Sequence, residues 1–332
     1  MQFKTFLFRA LRGLTAAACL GAAAAGGNAQ TAPHKPLKII VPYAPGGILD
    51  TLMRRMGPLI SESIGQPVII DNRPGGLTNI GMLACAGAPA DGSTVCFALE
   101  DSTVYNPLLF KRMPYDPSTL VPVIQLATAR SIIVAKSAAP FNTYKEMVAF
   151  AKSKPGVLNF GTWGPASTPD LYRQWMDRSA GIDMTSVPYK GVAGGTMQAI
   201  LAGEIDASVF TIGQVQAYLK DGKAKPIVIL GDKRWSGMPN LTTLGEEGAE
   251  PGLTSVWGVY APPKTPKDQV DRLNAEFAKA LTHASVRELL QTNTLDPVGG
   301  TSEDFGKVLR DLRANAQRVF KALDIKPMDM PS

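Results

Sequence analysis

Residues 38–56 read KIIVPYAPGGILDTLMRRM, and this order of residue types decides the fold. Residues 39–41 form an apolar run that predicts a short buried strand, and the prolines and glycines within 42–47 end it. Apolar residues then recur at helical spacing, at Leu49, Leu52, Met53 and Met56. The pattern therefore predicts a strand, a glycine turn and a helix in immediate succession.

The first turn of that helix is suited to an anion. The first N–H groups of a helix have no partners within it, and the helix dipole favours negative charge at that end. Gly46 and Gly47 allow a ligand to approach the backbone closely. We expect a turn that binds an anion, most simply a carboxylate; the alternative is a turn that only reverses the chain.

A second stretch repeats this order about 115 residues later. Residues 158–161 predict a strand, and residues 162–169 read TWGPASTP. Ser167 or Thr168 is placed to cap the next helix, and Pro169 suits its first turn. Taken alone, this turn is a capped helix and nothing more. Facing the first turn across a cleft, it would hold the same anion from the other side.

The first 29 residues resemble an export signal. Lys4, Arg9 and Arg12 make a basic start, and the apolar run over 14–25 is too short to span a bilayer. Small residues favour cleavage before Gln30, with a lipoprotein site at Cys19 as the alternative. The sequence thus predicts a signal peptide over 1–29 and a mature protein in the periplasm.

Charge and length limit the class of partner. The chain has 34 basic and 28 acidic residues, a formal charge of +6, and the first 29 residues carry three of the basic ones. The small remaining excess is scattered, which argues against nucleic acid as a partner. The remaining 303 residues or so are enough for two domains of ordinary size.

Two cysteines lie beyond the export signal, Cys85 in a predicted helix and Cys96 in the next predicted strand. An oxidising compartment permits a disulfide between them. Two separate buried thiols are the alternative, because the sequence does not supply the geometry.

Strands and helices alternate through the chain, which predicts an α/β fold with mainly parallel sheets. The last part of the chain differs, with two amphipathic helical stripes after residue 265. Thr301 and Asp304 have the spacing of a capping box at the start of the longer one.

Residues for catalysis are scarce. The two histidines, His34 and His283, have no triad context, and no nucleophile elbow, Walker loop or dinucleotide fingerprint occurs. We therefore expect no catalytic residues, no metal site and no cofactor, and binding without chemistry as the activity.

At this point the chain resembles the Bug proteins, the extracytoplasmic solute-binding subunits of tripartite tricarboxylate transporters. The resemblance covers the mature chain and rests on these motifs: IVPYAPGGILD at 40–50, GQPVIIDNRPGG at 65–76, PYDP at 114–117, VPYKG at 187–191, GEID at 203–206 and PVGGT at 297–301.

The resemblance implies a periplasmic-binding-protein fold of the type II kind, with two lobes joined by two crossover segments. We place the crossovers near 127–133 and 251–257. Lobe 1 would then comprise residues 30–130 and 254–332, and lobe 2 residues 131–253. The ligand would lie between the lobes.

The resemblance also implies which residues bind the ligand. The first turn contributes Ala44, Pro45, Gly46, Gly47, Ile48 and Asp50, and the second contributes Thr162, Gly164, Ser167 and Thr168. Lys190, Gly191 and Asp206 belong to segments expected to border the cleft. For Asp206 two roles stay open, namely orienting a water or polar ligand group and satisfying backbone donors.

One departure from the family concerns residues 99–103, which read LEDST where relatives have small neutral residues. It places Asp101, and with it Glu100, at the carboxyl end of a strand, where such sheets bind ligands, and Ser102 is a predicted ligand residue of the same segment. Because a carboxylate repels an anion, we expect a ligand that also carries an amino group or a ring nitrogen. The alternative is that Asp101 faces solvent or caps the next helix.

The sequence therefore predicts a monomeric periplasmic protein that captures a small carboxylate and delivers it to a membrane permease. Two alternatives share the same cleft, a sensory protein that presents its ligand to a receptor and an enzyme acting on the bound molecule.

Overall fold

The alternating strands and helices form two separate sheets. In this computed structural model the described residues are 35–164, 167–189 and 194–330. The predicted signal peptide, residues 1–29, lies outside them, as do the predicted ligand residues Lys190 and Gly191.

Six strands make the first sheet: β1 (Leu37–Val41), β2 (Val68–Asn72), β3 (Thr94–Leu99), β4 (Val121–Ala129), β10 (Trp257–Ala261) and β11 (Leu295–Gly299). Their order is β11-β4-β10-β3-β1-β2. The helices along these segments are α1 (Ile48–Ile64), α2 (Asn79–Ala86), α3 (Asn106–Leu109), α8 (Lys267–Thr282), α9 (Ala284–Thr292) and α10 (Ser302–Ala322). A π-helical turn, Asp101–Tyr105, leads into α3.

Five strands make the second sheet: β5 (Ser131–Lys136), β6 (Asn159–Thr162), β7 (Thr185–Pro188), β8 (Ala207–Thr211) and β9 (Ala224–Ile229). Their order is β7-β6-β8-β5-β9. The helices along these segments are α4 (Tyr144–Ser153), α5 (Thr168–Ala180), α6 (Gly194–Ala202) and α7 (Ile212–Lys220).

The prediction of mainly parallel sheets is wrong. In the first sheet β1 pairs in parallel with β2 and β3, but β10 is antiparallel to β3 and to β4. In the second, β6 pairs in parallel with β7 and β8, while β5 is antiparallel to β8 and β9. Strand β11 is also antiparallel to β4. Two of the strands with antiparallel neighbours, β5 and β10, are the first strands after the chain changes sheet.

Strand β1 shows why both faces of the first sheet are covered. Ile39 and Val41 are buried with α1, whereas Ile40 is buried in the cluster on the other face with α2. Side chains alternate between the faces of a strand, so an uninterrupted apolar run requires a layer on each side. The helical stripe of α1 supplies one of these layers through Leu52 and Met53.

The chain passes between the sheets twice. It leaves the first sheet at Arg130, directly between β4 and β5, and returns through residues 230–256 before β10. The Thr128 hydroxyl donates a hydrogen bond to the Ser255 carbonyl at 2.6 Å and thereby ties the two crossings together. The two halves of the protein are therefore linked at one edge by paired segments.

Local features of the helices follow the sequence. Thr301 and Asp304 form both bonds of the predicted capping box at the start of α10. His283 caps α9, since its Nδ1 accepts from the Ser285 N–H at 3.3 Å. A disulfide joins Cys85 of α2 to Cys96 of β3. In the part of the chain that the structure describes, no helix is both long enough and apolar enough to cross a membrane.

Candidate functional site

The first glycine turn follows β1 at the carboxyl edge of the first sheet, and residues 44–47 are exposed there. Asp50 holds this turn from inside. Its Oδ2 accepts hydrogen bonds from Gly46 N and from Arg54 Nε, both at 2.9 Å. Burial acts to raise the pKa of Asp50, but the hydrogen bonds from Arg54 and Gly46 outweigh it and lower the pKa. Asp50 is therefore ionised and stabilises the turn, because its Oδ2 binds the backbone N–H of Gly46.

The helix that follows this turn begins without a side-chain cap. Gly47 is the N-cap residue of α1 and has ordinary extended backbone angles, φ −75° and ψ 170°. A Cβ at this position would have only the Ala44 carbonyl oxygen nearby, at 3.9 Å. The exposed residues 44–47 therefore leave room for a ligand in front of the first turn of α1, whose backbone N–H groups have no partners within the helix.

Tyr43 connects the first turn to Asp101. The Tyr43 hydroxyl donates to Asp101 Oδ1 at 2.9 Å and accepts from Leu99 N at 3.1 Å. Ser102 N and Ser102 Oγ lie 2.6 Å and 3.0 Å from the same carboxylate oxygen. Burial raises the pKa of Asp101, while the donors from Tyr43 and Ser102 favour its ionised form. The carboxyl group is therefore held in one orientation at the carboxyl end of β3.

A third turn belongs to the same edge and was missing from the predicted site. Residues 73–78 lead from β2 into α2, and Leu77 and Thr78 have positive φ angles of 51° and 77°. Asn106 Nδ2 donates to the Leu77 carbonyl at 2.8 Å, and Ser102 Oγ lies 2.9 Å from Thr78 Oγ1. The motif RPGG at 73–76 repeats the strand, Gly-Gly and helix order and would have indicated this turn.

The second predicted turn follows β6 in the other sheet. Ser167 is the N-cap residue of α5, but its hydroxyl does not cap the helix: it accepts from Trp163 N at 3.2 Å and donates to the Gly164 carbonyl at 2.7 Å. The capping role predicted for Ser167 is therefore wrong, because the turn uses the hydroxyl. Thr168 is the first residue of α5, so this helix also begins without a side-chain cap.

The second turn also contains a polar group without a partner. The indole Nε1 of Trp163 is buried and has no hydrogen-bond partner among the described residues. Gly164 has φ +110°, and a Cβ there would meet nothing within 4 Å. Both features leave donors and open space in this turn.

Two predicted ligand residues are engaged elsewhere. Thr162 is fully buried, and its hydroxyl lies 3.2 Å from Ser186 Oγ. Asp206 pairs with Lys136 Nζ at 2.7 Å and accepts from Asn159 N at 2.8 Å. Asn159 begins β6 and the turn follows its last residue, so Asp206 lies at the opposite edge of the sheet. For Asp206 the geometry fits the satisfaction of backbone donors.

Glu100 contacts the return crossing, residues 230–256, along which the chain comes back to the first sheet. It is buried, and its Oε2 accepts from Val256 N at 2.7 Å, one residue before β10 begins. Burial raises the pKa of Glu100 to about 8, and the neighbouring Asp101 carboxylate contributes to the rise. At neutral pH this carboxyl is therefore largely protonated, in contrast to Asp50.

The arrangement is suited to holding a molecule through backbone and hydroxyl donors. Within residues 35–164, 167–189 and 194–330, no group of three or more His, Cys, Asp or Glu side chains could hold a metal ion. The two turns carry hydrogen-bond donors, which suit an anion. Asp101 differs from them because its carboxyl group accepts hydrogen bonds.

The chain is similar to a family of transporter receptors and to a Bug protein. Residues 52–325 match the family model described as tripartite tricarboxylate transporter family receptor. The chain is 28% identical over 279 residues to the protein BugT of Bordetella pertussis, covering 83% of this chain and 85% of BugT.

Solved structures of similar proteins contain dicarboxylates. Rpa4515 of R. palustris, solved with adipate, has a TM-score of 0.76 and 29% identity, covering 89% of this chain and 99% of that one. MatC of Rhodopseudomonas palustris, solved with bound malate, has a TM-score of 0.72 and 25% identity, covering 87% and 99%.

Proposed function

Because this chain belongs to the tripartite tricarboxylate transporter receptor family, we propose that it captures a small carboxylate and delivers it to the membrane permease of such a transporter. The observation that carries the proposal is a pair of helices, α1 and α5, that begin without side-chain caps. Each follows the carboxyl end of a strand in a different sheet. Two such helix ends can hold one carboxylate ligand from both sides.

We assign the lobes as the sequence predicts. Lobe 1 comprises residues 30–130 and 254–332, lobe 2 comprises residues 131–253, and the ligand lies between them. The change of sheet at Arg130 and the return over 230–256 support these boundaries. The crossings, tied by the bond between Thr128 and Ser255, act as the hinge about which the lobes close.

Within lobe 1 the ligand is held by the first turn, Ala44 to Ile48. Residues 44–47 are exposed. The Asp50 carboxylate accepts from Gly46 N and positions the turn, and Ser102 N positions Asp101. Within lobe 2 the contacts come from Gly164, Ser167 and Thr168. Lys190 and Gly191 complete the predicted set and lie outside the described residues.

Binding takes place without covalent chemistry in this proposal. The turns supply donors, and among their described residues neither contains a nucleophile paired with a general base. The protein acts as a monomer in the periplasm after removal of residues 1–29. The description of the matching family as a transporter receptor supports the binding role.

A thermal-shift screen tests the proposal. The mature protein is melted with dicarboxylates, tricarboxylates, amino acids and aromatic acids, each at millimolar concentration. A ligand at 100 times its Kd stabilises the folded state by about 2.7 kcal/mol, enough for a clear rise in Tm. The bound acid should be recovered unchanged after incubation. A screen in which no acid raises Tm contradicts the proposal.

Gly47→Leu locates the site. The side chain has free space and an ordinary backbone angle at this position, so the fold should be unaffected. We expect the affinity for the acid found in the screen to fall at least tenfold, because the leucine occupies the space in front of the first turn. Gly87→Leu is the matched control, since Gly87 is an exposed glycine at the far end of α2. Equal affinities for the two variants would place the ligand away from the first turn.

A further inference from the structure

Asp101 has no cationic partner among the described residues. The groups that favour its ionised form are the neutral hydroxyls of Tyr43 and Ser102 and the Ser102 N–H. The nearest acid along the chain, Glu100, is turned the other way, toward Val256 N. An ionised carboxyl in protein surroundings is costly unless a cation or several donors compensate it.

The two oxygens of Asp101 differ in their surroundings. Oδ1 receives all three hydrogen bonds from Tyr43 and Ser102. Oδ2 receives none from the described residues, and it is not among the buried atoms that lack a partner. One oxygen therefore fixes the orientation of the half-buried carboxyl group, while the other is not fully buried and accepts no hydrogen bond from the described residues.

Asp101 lies beside the turn that binds the acid in the proposed function. Tyr43, which donates to Asp101, directly precedes residues 44–47 in the chain. The carbonyl of Tyr43 accepts from Asn72 Nδ2 at 3.2 Å, so the tyrosine is held at both ends. A ligand bound at the first turn thus has a fixed carboxylate oxygen next to its acid group.

We propose, resting on the proposed function, that Asp101 selects acids that also carry a protonated nitrogen and accepts a hydrogen bond from that nitrogen through Oδ2. The ligand is then an amino-substituted carboxylate, and the turns bind its acid group while Asp101 binds its ammonium group. An acid without the nitrogen meets repulsion from Asp101 with no compensating contact. Hydrogen bonds between charged groups are the strong ones, so the preference should be large.

Calorimetric titration of matched acid pairs tests the proposal. The pairs are aspartate with succinate, glutamate with glutarate, and 2-aminoadipate with adipate, all six also being present in the screen. For the wild-type protein we expect the amino member of at least one pair to bind at least tenfold more tightly than its counterpart. In Asp101→Asn this preference should disappear, with the affinity for the nitrogen-free acid unchanged or higher.

Two further variants separate selection from structure. Tyr43→Phe removes one of the donors that orient the carboxyl group and should reduce the preference without inverting it. Asp271→Asn is the control: Asp271 is an exposed carboxylate on α8 of the same lobe, paired with Lys267 at 2.8 Å. This variant removes the same charge and should retain the wild-type preference.

The outcomes distinguish this inference from the proposed function. A wild-type protein that binds the nitrogen-free acid as tightly as its amino counterpart in all three pairs overturns the role of Asp101 and leaves the proposed function intact. Equal weakening of both members of a pair in Asp101→Asn also overturns it, since the residue would then only shape the turn. If no acid of the screen binds, both proposals fail.

Discussion

Three carboxylates at the carboxyl edge of the first sheet differ in the residues that contact them. Asp50 accepts from Gly46 N and Arg54, and the pKa of its carboxyl is lowered. Glu100 is buried against Val256 N, and the pKa of its carboxyl rises to about 8. Burial raises the pKa of Asp101, and three neutral donors contact one of its oxygens. The carboxyl group therefore has three different roles here: in Asp50 it stabilises a turn, in Glu100 it binds the backbone of Val256, and in Asp101 it lies beside the proposed ligand site.

Glu100→Gln should change how stability depends on pH. The pKa of Glu100 is about 8 in the folded protein and near 4.5 when unfolded, so the folded state holds the proton more tightly. Its stabilising contribution is complete below pH 4.5 and is lost as the pH rises through 8, at up to about 1.4 kcal/mol per pH unit. Glutamine cannot ionise and can still accept from Val256 N, so the variant should gain stability relative to wild type between pH 5 and 8.

Urea unfolding at pH 5, 6, 7 and 8 measures this difference. Glu303→Gln removes one exposed charge in the first turn of α10 and serves as the control, with a profile parallel to that of the wild type. If Glu100→Gln runs parallel to the wild type as well, Glu100 is ionised and solvated in the folded protein.

The sequence located Asp101 at a strand end but could not supply its partners. Tyr43 and Asp101 are 58 residues apart, and their contact depends on the adjacency of β1 and β3 in the sheet. For Asp206 the sequence motif predicted a position at the border of the cleft, but the structure places it at the opposite edge of the sheet. Its position at the amino end of β8 follows from strand direction, which a short motif does not contain.

Helix ends were predictable where the bonds are local. Thr301 and Asp304 are three residues apart and form the capping box in α10 as the spacing indicates. Ser167 has an equally suitable residue type, yet its hydroxyl bonds to Trp163 N and the Gly164 carbonyl. In that turn, backbone groups compete for the same hydroxyl, and their geometry decides the outcome.

The disulfide between α2 and β3 should contribute to the stability of the first sheet. Cys85 and Cys96 are separated by 11 residues, and closing a loop of this size stabilises the folded state by about 3 kcal/mol. We therefore expect the double variant Cys85→Ala, Cys96→Ala to lose about that amount in urea unfolding.

Reduction supplies the control for the disulfide. Dithiothreitol should lower the stability of the wild-type protein and leave that of the double variant unchanged. Equal stability of the oxidised and reduced wild-type proteins would show that the bond does not form in solution.

At the scale of the whole molecule, helices from both halves contact the segment along which the chain returns to the first sheet. Tyr172 of α5 donates to the Leu253 carbonyl at 2.6 Å, and Trp175 donates to the Ala249 carbonyl at 3.0 Å. From the other half, Arg318 of α10 donates to the Pro251 carbonyl at 2.7 Å. The segment 249–253 is thus hydrogen-bonded from both halves.

Gly213 is required where α7 meets the segment after α9. A Cβ at Gly213 would lie 2.3 Å from the Asn293 carbonyl oxygen, which is backbone and cannot move alone. We expect Gly213→Ala to destabilise the protein by about 1–3 kcal/mol in urea unfolding, the usual cost of such overpacking.

Gly306→Ala is the matched control for this contact. Gly306 also lies in a helix, but the nearest atom to its Cβ is Arg310 Nη1 at 3.4 Å, the end of a flexible side chain. This variant should be neutral or slightly stabilised, since alanine favours helix interiors over glycine. A Gly213→Ala protein as stable as Gly306→Ala would mean that the two halves do not meet at Asn293.

Much of the overall architecture followed from the sequence. The predicted resemblance to Bug proteins is confirmed by the receptor family model and by BugT, and the fold matches those of periplasmic binding proteins. The mixed pairing of the sheets was not predicted, because strand direction at the crossings depends on how the halves join.

By itself, the sequence determined the strand–turn–helix units, the glycine turns, the capping box of α10 and the family, since each depends on neighbouring residues or on ordered motifs. Only the tertiary structure decided that Tyr43 holds Asp101, that Glu100 closes on Val256 and that Asp206 lies at the far edge. Glu100 and Val256 are 156 residues apart, and Asp206 and its partner Asn159 are 47 residues apart. Residues so distant in the sequence come into contact only once the sheets have assembled.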